Sequence, residues 1–186
     1  MNPLIPDFEV GWCNGWIGTI PIILSMIILF ILNKGATNRA INMSTYNVKE
    51  KCQTFLSTFV FFGAVLYSIG LPLRLETMWF YIGSALYASG SIPYVVATFN
   101  FASAPQNELI VKGVYKISRN PMYFFSAITL LGIGIACASY FMVILVILYI
   151  AITHLTVLAE EKYCSEKYGE TYQKYMKAVP RYFLFF

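Results

Sequence analysis

From Met122 to Leu158 the chain runs for 37 residues without a formal charge at neutral pH. As one straight helix that run would reach about 55 Å, at roughly 1.5 Å per residue. A bilayer's hydrocarbon core is only about 30 Å thick, so a single spanning helix does not fit it. Two short helices with a tight turn near Ala138-Ser139 do. Polar clusters mark both ends of the run: Arg119 and Asn120 precede it, and Glu160 and Glu161 follow it. Charge held at a bilayer edge is expensive and usually has work to do.

The rest of the chain fits the same solvent. Of its 186 residues 58% are hydrophobic and 12% charged, with a mean hydropathy of +0.64, which leaves too little polar surface to cover a soluble domain of this length. Trp16 to Leu32, Thr54 to Leu73 and Thr77 to Phe99 are further apolar stretches, each near the roughly 20 residues a spanning helix needs. The expected fold is all-α, a polytopic membrane protein with five transmembrane helices whose last two form a helical hairpin. Residues 1–186 are expected to form a single membrane domain, with the first three spans within 1–100. Twelve of the thirteen Lys and Arg residues then share one face, Arg74 alone lying opposite. The bias of basic residues toward the cytoplasmic side makes that face cytoplasmic. The N-terminus, with Asp7 and Glu9, is expected outside and the C-terminus inside, in a bacterial or archaeal inner membrane or the endoplasmic reticulum. Met1 to Val10 lacks the basic start of a signal peptide, so the first span is expected to be kept.

Several features read as structural. Cys13, Cys52, Cys137 and Cys164 show no metal-type spacing and are expected to be free thiols. No metal site is expected. The net charge of +4 suits cytoplasmic flanks facing anionic headgroups, and no extended basic patch points to nucleic acid. Asn33 to Gln53 reads as a polar loop. Ser84, Ala88 and Ala85, Ser89 offer small residues at helical spacing for close packing in lipid, with a kink expected at Pro93. Gly132 and Gly134 suit either packing or a close approach of a ligand to the backbone. Tyr168, Tyr172, Tyr175 and Val179 fall on one helical face, the pattern of a cytoplasmic interfacial helix, with Gly169 as a point of interruption.

Antiparallel packing of the last two helices would bring Arg119 and Asn120 beside Glu160 and Glu161, about one helix diameter (roughly 10 Å) apart. Pro121 suits the first turn of a helix, where a missing N–H costs nothing. Residue chemistry alone leaves three readings of this cluster: an anchoring belt of Arg, Lys and Tyr at the interface, a buried ion pair closing the hairpin, or a reactive site.

The stretch Gly113-x-Tyr115-x-x-x-Arg119-Asn120-Pro121-x-Tyr123, the apolar run, Glu160-Glu161, Tyr168-Gly169-x-x-Tyr172-x-x-Tyr175 and Val179-Pro180-Arg181 resembles the isoprenylcysteine carboxyl methyltransferase and phospholipid methyltransferase family over about the last 75 residues. The resemblance implies an enzyme that uses S-adenosylmethionine to methylate a lipophilic, membrane-dissolved acceptor, with no obligate protein partner. It makes 101–186 the cofactor-binding region. Carried over, Gly113, Val114, Tyr115, Asn120, Pro121 and Tyr123 would line the cofactor site, with Glu160 and Glu161 neutralising its positive end. Arg119 and Glu160 would serve catalysis. His154, the one histidine, would be a candidate base for the acceptor.

Two departures bear on the acceptor. Carboxyl-methylating relatives often carry His where Asn120 stands, and Arg where Thr156 stands, one turn ahead of the glutamates. An arginine is the natural partner of an acceptor carboxylate, so the pattern leans toward a phospholipid amine over an isoprenylcysteine carboxylate. A membrane oxidoreductase related to sterol reductases, using NADPH, and a non-catalytic scaffold are the competing readings.

Overall fold

The structure is a computed structural model that describes residues 9, 11–32, 34–40, 42–105 and 107–183. Asp7, most of Met1 to Val10, and Asn33 at the start of the expected polar loop lie outside the described residues. Among those described the chain is helical, with an isolated β-bridge between Asn14 and Pro72. In chain order the helices are α1 (Ile20–Leu32), α2 (Lys34–Ala40), α3 (Val48–Tyr67), α4 (Met78–Ala102), α5 (Pro121–Ala136), α6 (Tyr140–Tyr168) and α7 (Glu170–Ala178). Single 3-10 turns at Gly15–Thr19, Ser68–Gly70 and Gly113–Lys116 join them.

Val48–Gly70 and Tyr140–Tyr168 are each long and apolar enough to cross a membrane, while Gly15–Ile31 and Pro121–Ala136 are apolar but shorter. Phe55, Phe59, Leu66, Ile144 and Ile147 point outward, all more than 55% exposed. Rows of large exposed apolar side chains on two such helices suit lipid rather than water.

Local chemistry sets the helix ends. Asn47 and Glu50 form a reciprocal capping box at the start of α3: the Glu50 N–H donates to Asn47 Oδ1 at 2.9 Å, and the Asn47 N–H donates to Glu50 Oε2 at 2.7 Å. The expected polar loop thus holds α2 and the first turns of α3. Between α5 and α6 the chain turns within Cys137, Ala138 and Ser139, with Ala138 at φ 51° and the Ser139 hydroxyl capping Met142.

α4 and α5 pack most closely, through Gly83 and Gly90 on one helix and Thr129, Gly132 and Ala136 on the other. A Cβ on Gly132 would stand 2.5 Å from the backbone nitrogen of Tyr87, and one on Gly83 would overlap the backbone of Ala136. The expected small-residue pairs do not make this contact, because Ala85, Ala88 and Ser89 lie on the exposed side of α4. α6 crosses α3 through a 2.6 Å hydrogen bond shared by Ser57 and Thr153, and meets α5 through one of 3.0 Å shared by Ser126 and Tyr149. The main core gathers Phe61, Tyr94, Phe125, Leu130, Met142 and Tyr149.

The tyrosine face of the C-terminal helix points inward. Tyr172, Tyr175 and Val179 are buried against Leu109, Cys164 and Met176, so the amphipathic pattern is satisfied by the protein's own surface.

Candidate functional site

The start of α5 and the end of α6 meet because Asn120 and Pro121 set the first helix while Gly169 ends the second. Asn120 occupies the N-cap position and Pro121 the first helical one. Asn at an N-cap normally bonds the helix backbone. Here its side chain makes no capping bond, and Nδ2 donates instead to Glu161 Oε1 at 3.0 Å. Gly169 adopts φ 52°, a left-handed geometry that costs a side-chain-bearing residue and not glycine, and α7 folds back from it.

Glu161 is the hub. It is 6% exposed, and beside Asn120 it accepts from Arg119 Nε at 3.1 Å and, through Oε2, from Arg181 Nε and Nη2 at 3.0 and 2.9 Å. Arg119, 8% exposed, also donates from Nη1 to the carbonyls of Met176 (2.9 Å) and Val179 (2.6 Å), and its own N–H bonds the Pro180 carbonyl at 2.9 Å. The Ser118 hydroxyl donates to the Arg181 carbonyl at 3.1 Å. These bonds fasten the segment after α7 onto the start of α5. Glu161 in turn holds the Arg181 proton more tightly than usual by hydrogen bonding to it. The Tyr172 and Tyr175 phenols are pushed up, chiefly by burial.

Glu160 differs. It is half-buried, forms no salt bridge among the described residues, and takes its hydrogen bond from the neutral Tyr123 hydroxyl. The adjacent carboxylates therefore stand in unlike surroundings: one bound by two guanidinium groups and an amide, the other by a phenol.

Gly113, Val114 and Tyr115 sit in the 3-10 turn ahead of this cluster. Gly113 has φ 58°, and a Cβ there would collide with the Asn100 amide, whose oxygen accepts from the Val114 N–H at 3.2 Å. Tyr115 is buried, and its carbonyl accepts from the Tyr175 hydroxyl at 2.6 Å. A cleft runs from Asn100 and Ala104 past Glu108 to Lys112 and Gly113. His154 Nδ1 lies 3.0 Å from the Tyr182 hydroxyl, whose phenol is raised to about 12, mainly by burial. Thr156 is 1% exposed and its hydroxyl has no partner among the described residues.

The structure thus brings Arg119, Asn120 and Glu161 into direct contact and Tyr123 onto Glu160. It places Gly113, Val114 and Tyr115 on the approach and His154 against the C-terminal segment. Arg181 and Ser118 were not among the site residues expected from sequence, although Val179-Pro180-Arg181 belongs to the motif that carries the resemblance. No cluster of metal-ligating side chains occurs among the described residues.

A model of the phospholipid methyltransferase family matches residues 68–171, which contain Arg119, Asn120, Tyr123, Glu160 and Glu161 and exclude all of α1 to α3. Comparison with curated proteins gives no match.

Proposed function

The chain belongs to the phospholipid methyltransferase family, and from that premise we propose that it uses S-adenosylmethionine to methylate a lipophilic acceptor dissolved in the membrane. The observation that carries the reading is the contrast between the two carboxylates. Glu161 is consumed by Arg119, Asn120 and Arg181. Glu160 has no cation bound to it among the described residues and stands beside the Tyr123 phenol. An anionic side chain next to an aromatic ring suits a bound cation through Coulomb and cation–π attraction.

The cofactor would supply an electrophilic methyl group on a sulfonium centre. Glu160 would face its positive end, with Tyr123 fixing the carboxylate's orientation. Gly113, at the end of the cleft, and Val114 and Tyr115, which follow it in the same 3-10 turn, would meet the rest of it. Arg119, Asn120 and Glu161 act as a strut that holds this region and the C-terminal segment in register, which keeps water out and reacting groups aligned. His154 would deprotonate the acceptor.

In this reading α1, α3, α4, α5 and α6 each span the membrane once, with α5 and α6 as a hairpin and the site at the cytoplasmic edge. Thr156 offers no positive charge beside Glu160, which favours a phospholipid amine over a carboxylate acceptor. The test is titration of the purified protein with S-adenosylmethionine by calorimetry, followed by transfer of labelled methyl into phosphatidylethanolamine and prenylcysteine pools. Saturable binding with label in the lipid is expected. No saturable binding, with stabilisation by NADPH instead, would sink the reading.

A further inference from the structure

Arg39 lies on α2, outside the stretch that matches the family model, and takes no part in the Glu161 network. Its Nη2 donates to the carbonyl of Ala104 at 3.2 Å and to that of Pro105, and its guanidinium carbon stands 5.3 Å from the centre of the Phe101 ring. Nε and Nη1 are shielded from solvent and donate to nothing among the described residues. No carboxylate pairs with Arg39 among them either. A guanidinium with desolvated, idle donors and no counter-charge is a costly arrangement that proteins seldom keep without a use.

Glu160 is its counterpart in charge, a half-buried carboxylate without a cation. Asn42, three residues after Arg39, donates from Nδ2 to the Tyr163 hydroxyl at 3.1 Å, one turn beyond Glu160 on α6, and both charges act on the Tyr115 phenol, Glu160 raising it and Arg39 opposing. Ala104 and Pro105, the residues that Arg39 grips, form a wall of the cleft that ends at Gly113, two residues before Tyr115. An unpaired cation and an unpaired anion thus border one region, and a ligand with separated charges would satisfy both.

We infer that Arg39 is an oxyanion-binding residue of this site, taking the anionic end of a zwitterionic ligand whose cationic end faces Glu160. The inference rests on the methyltransferase reading and deepens it. Two ligands of that reading carry the chemistry: the amino-acid carboxylate of the cofactor and the phosphodiester of a phospholipid. Guanidinium recognises both as a planar donor with a fixed charge. Because Nε and Nη1 are covered, binding requires the Ala104–Pro105 turn held by Nη2 to move aside.

The test compares the full chain with Arg39→Gln and Arg39→Lys. Calorimetry uses S-adenosylhomocysteine and its decarboxylated analogue, and turnover is measured against phosphatidylethanolamine in mixed micelles. If the carboxylate is the ligand, Arg39→Gln weakens S-adenosylhomocysteine about tenfold or more, leaves the decarboxylated analogue unchanged, and Arg39→Lys recovers part of the loss. If the phosphodiester is the ligand, analogue affinities hold and KM for the lipid rises by a similar factor. A folded Arg39→Gln protein with both quantities unchanged overturns the inference. So does equal loss of both analogues, which would make Arg39 only a clamp on the turn. Should Arg39→Gln not fold, the same comparisons are read from Arg39→Lys. A wild-type protein that binds neither analogue nor lipid removes the methyltransferase reading itself, whereas normal wild-type binding with an indifferent variant removes the role of Arg39 alone.

Discussion

Replacing Glu161 by Gln removes the negative charge shared by Arg119, Asn120 and Arg181. Arg119 would stay buried, still tied to the carbonyls of Met176 and Val179 but without a counter-ion. Breaking a buried pair by removing one partner costs about 3–5 kcal/mol. Because Arg181 is partly open to water and Gln keeps one acceptor, a loss near the low end, about 3 kcal/mol, is expected for Glu161→Gln, seen as a lowered melting temperature in detergent. Glu160→Gln should behave oppositely. Its partner is a neutral phenol that an amide oxygen also accepts from, so melting should shift by no more than about 2 °C. S-adenosylmethionine binding by calorimetry should nevertheless weaken about tenfold or more. Equal effects of the two substitutions on melting would show that the carboxylates share one role.

At the scale of the helices, two glycines make a controlled comparison. Gly132→Ala puts a methyl group 2.5 Å from the Tyr87 backbone. Neither helix backbone can yield locally, so α4 and α5 must separate, at about 3 kcal/mol. Gly169→Ala meets no neighbour within 4 Å, and its cost is confined to the backbone, whose φ 52° and ψ −128° only glycine adopts readily, at about 2 kcal/mol. Thermal melts of the two variants should rank in that order, and a reversed order would show that the α6–α7 break matters more than the α4–α5 seam. Elements differ in how far sequence reveals them. The break before Ser139 is legible because an uncharged run longer than a bilayer must turn, and Ser139 is a ready helix N-cap, whereas the positive φ of Ala138 has no mark in the sequence. The α4–α5 seam is not. Gly83, Ala85, Ala88 and Gly90 are all small, and spacing along one helix says nothing of which face its partner covers. α2 stayed hidden because its seven residues, four of them polar, show no apolar period. The meeting of Arg119 with Glu161 could be anticipated from the ends of the apolar run, but the grip of Arg119 on α7 carbonyls could not, since backbone acceptors leave no mark in sequence. For the same reason the tyrosine stripe on α7 reads equally as a face for headgroups or for the chain's own α6.

At the scale of the molecule, the proposed five-span arrangement makes the native cysteines into position markers. Cys13 and Cys52 are exposed, Cys164 is partly covered and Cys137 is buried. Cys13 precedes α1, and its carbonyl accepts from the Leu73 N–H, so it shares an end of the molecule with the connection between α3 and α4. Cys52 lies in the first turns of α3, at the opposite end of that helix. With twelve of thirteen basic residues on one face, orientation by charge puts Cys52 inside and Cys13 outside. A membrane-impermeant maleimide applied to intact cells should therefore label Cys13 and not Cys52, read on variants that each keep one cysteine. Permeabilisation should add Cys52, while Cys137 should stay unlabelled until the protein unfolds, because its side chain is enclosed between α5 and the Leu71 carbonyl. Labelling of Cys52 before permeabilisation would invert the orientation and move Glu160, Arg39 and the cleft to the outer face. That face is far from an intracellular supply of S-adenosylmethionine, so the inverted pattern would count against the proposed chemistry as well as the topology.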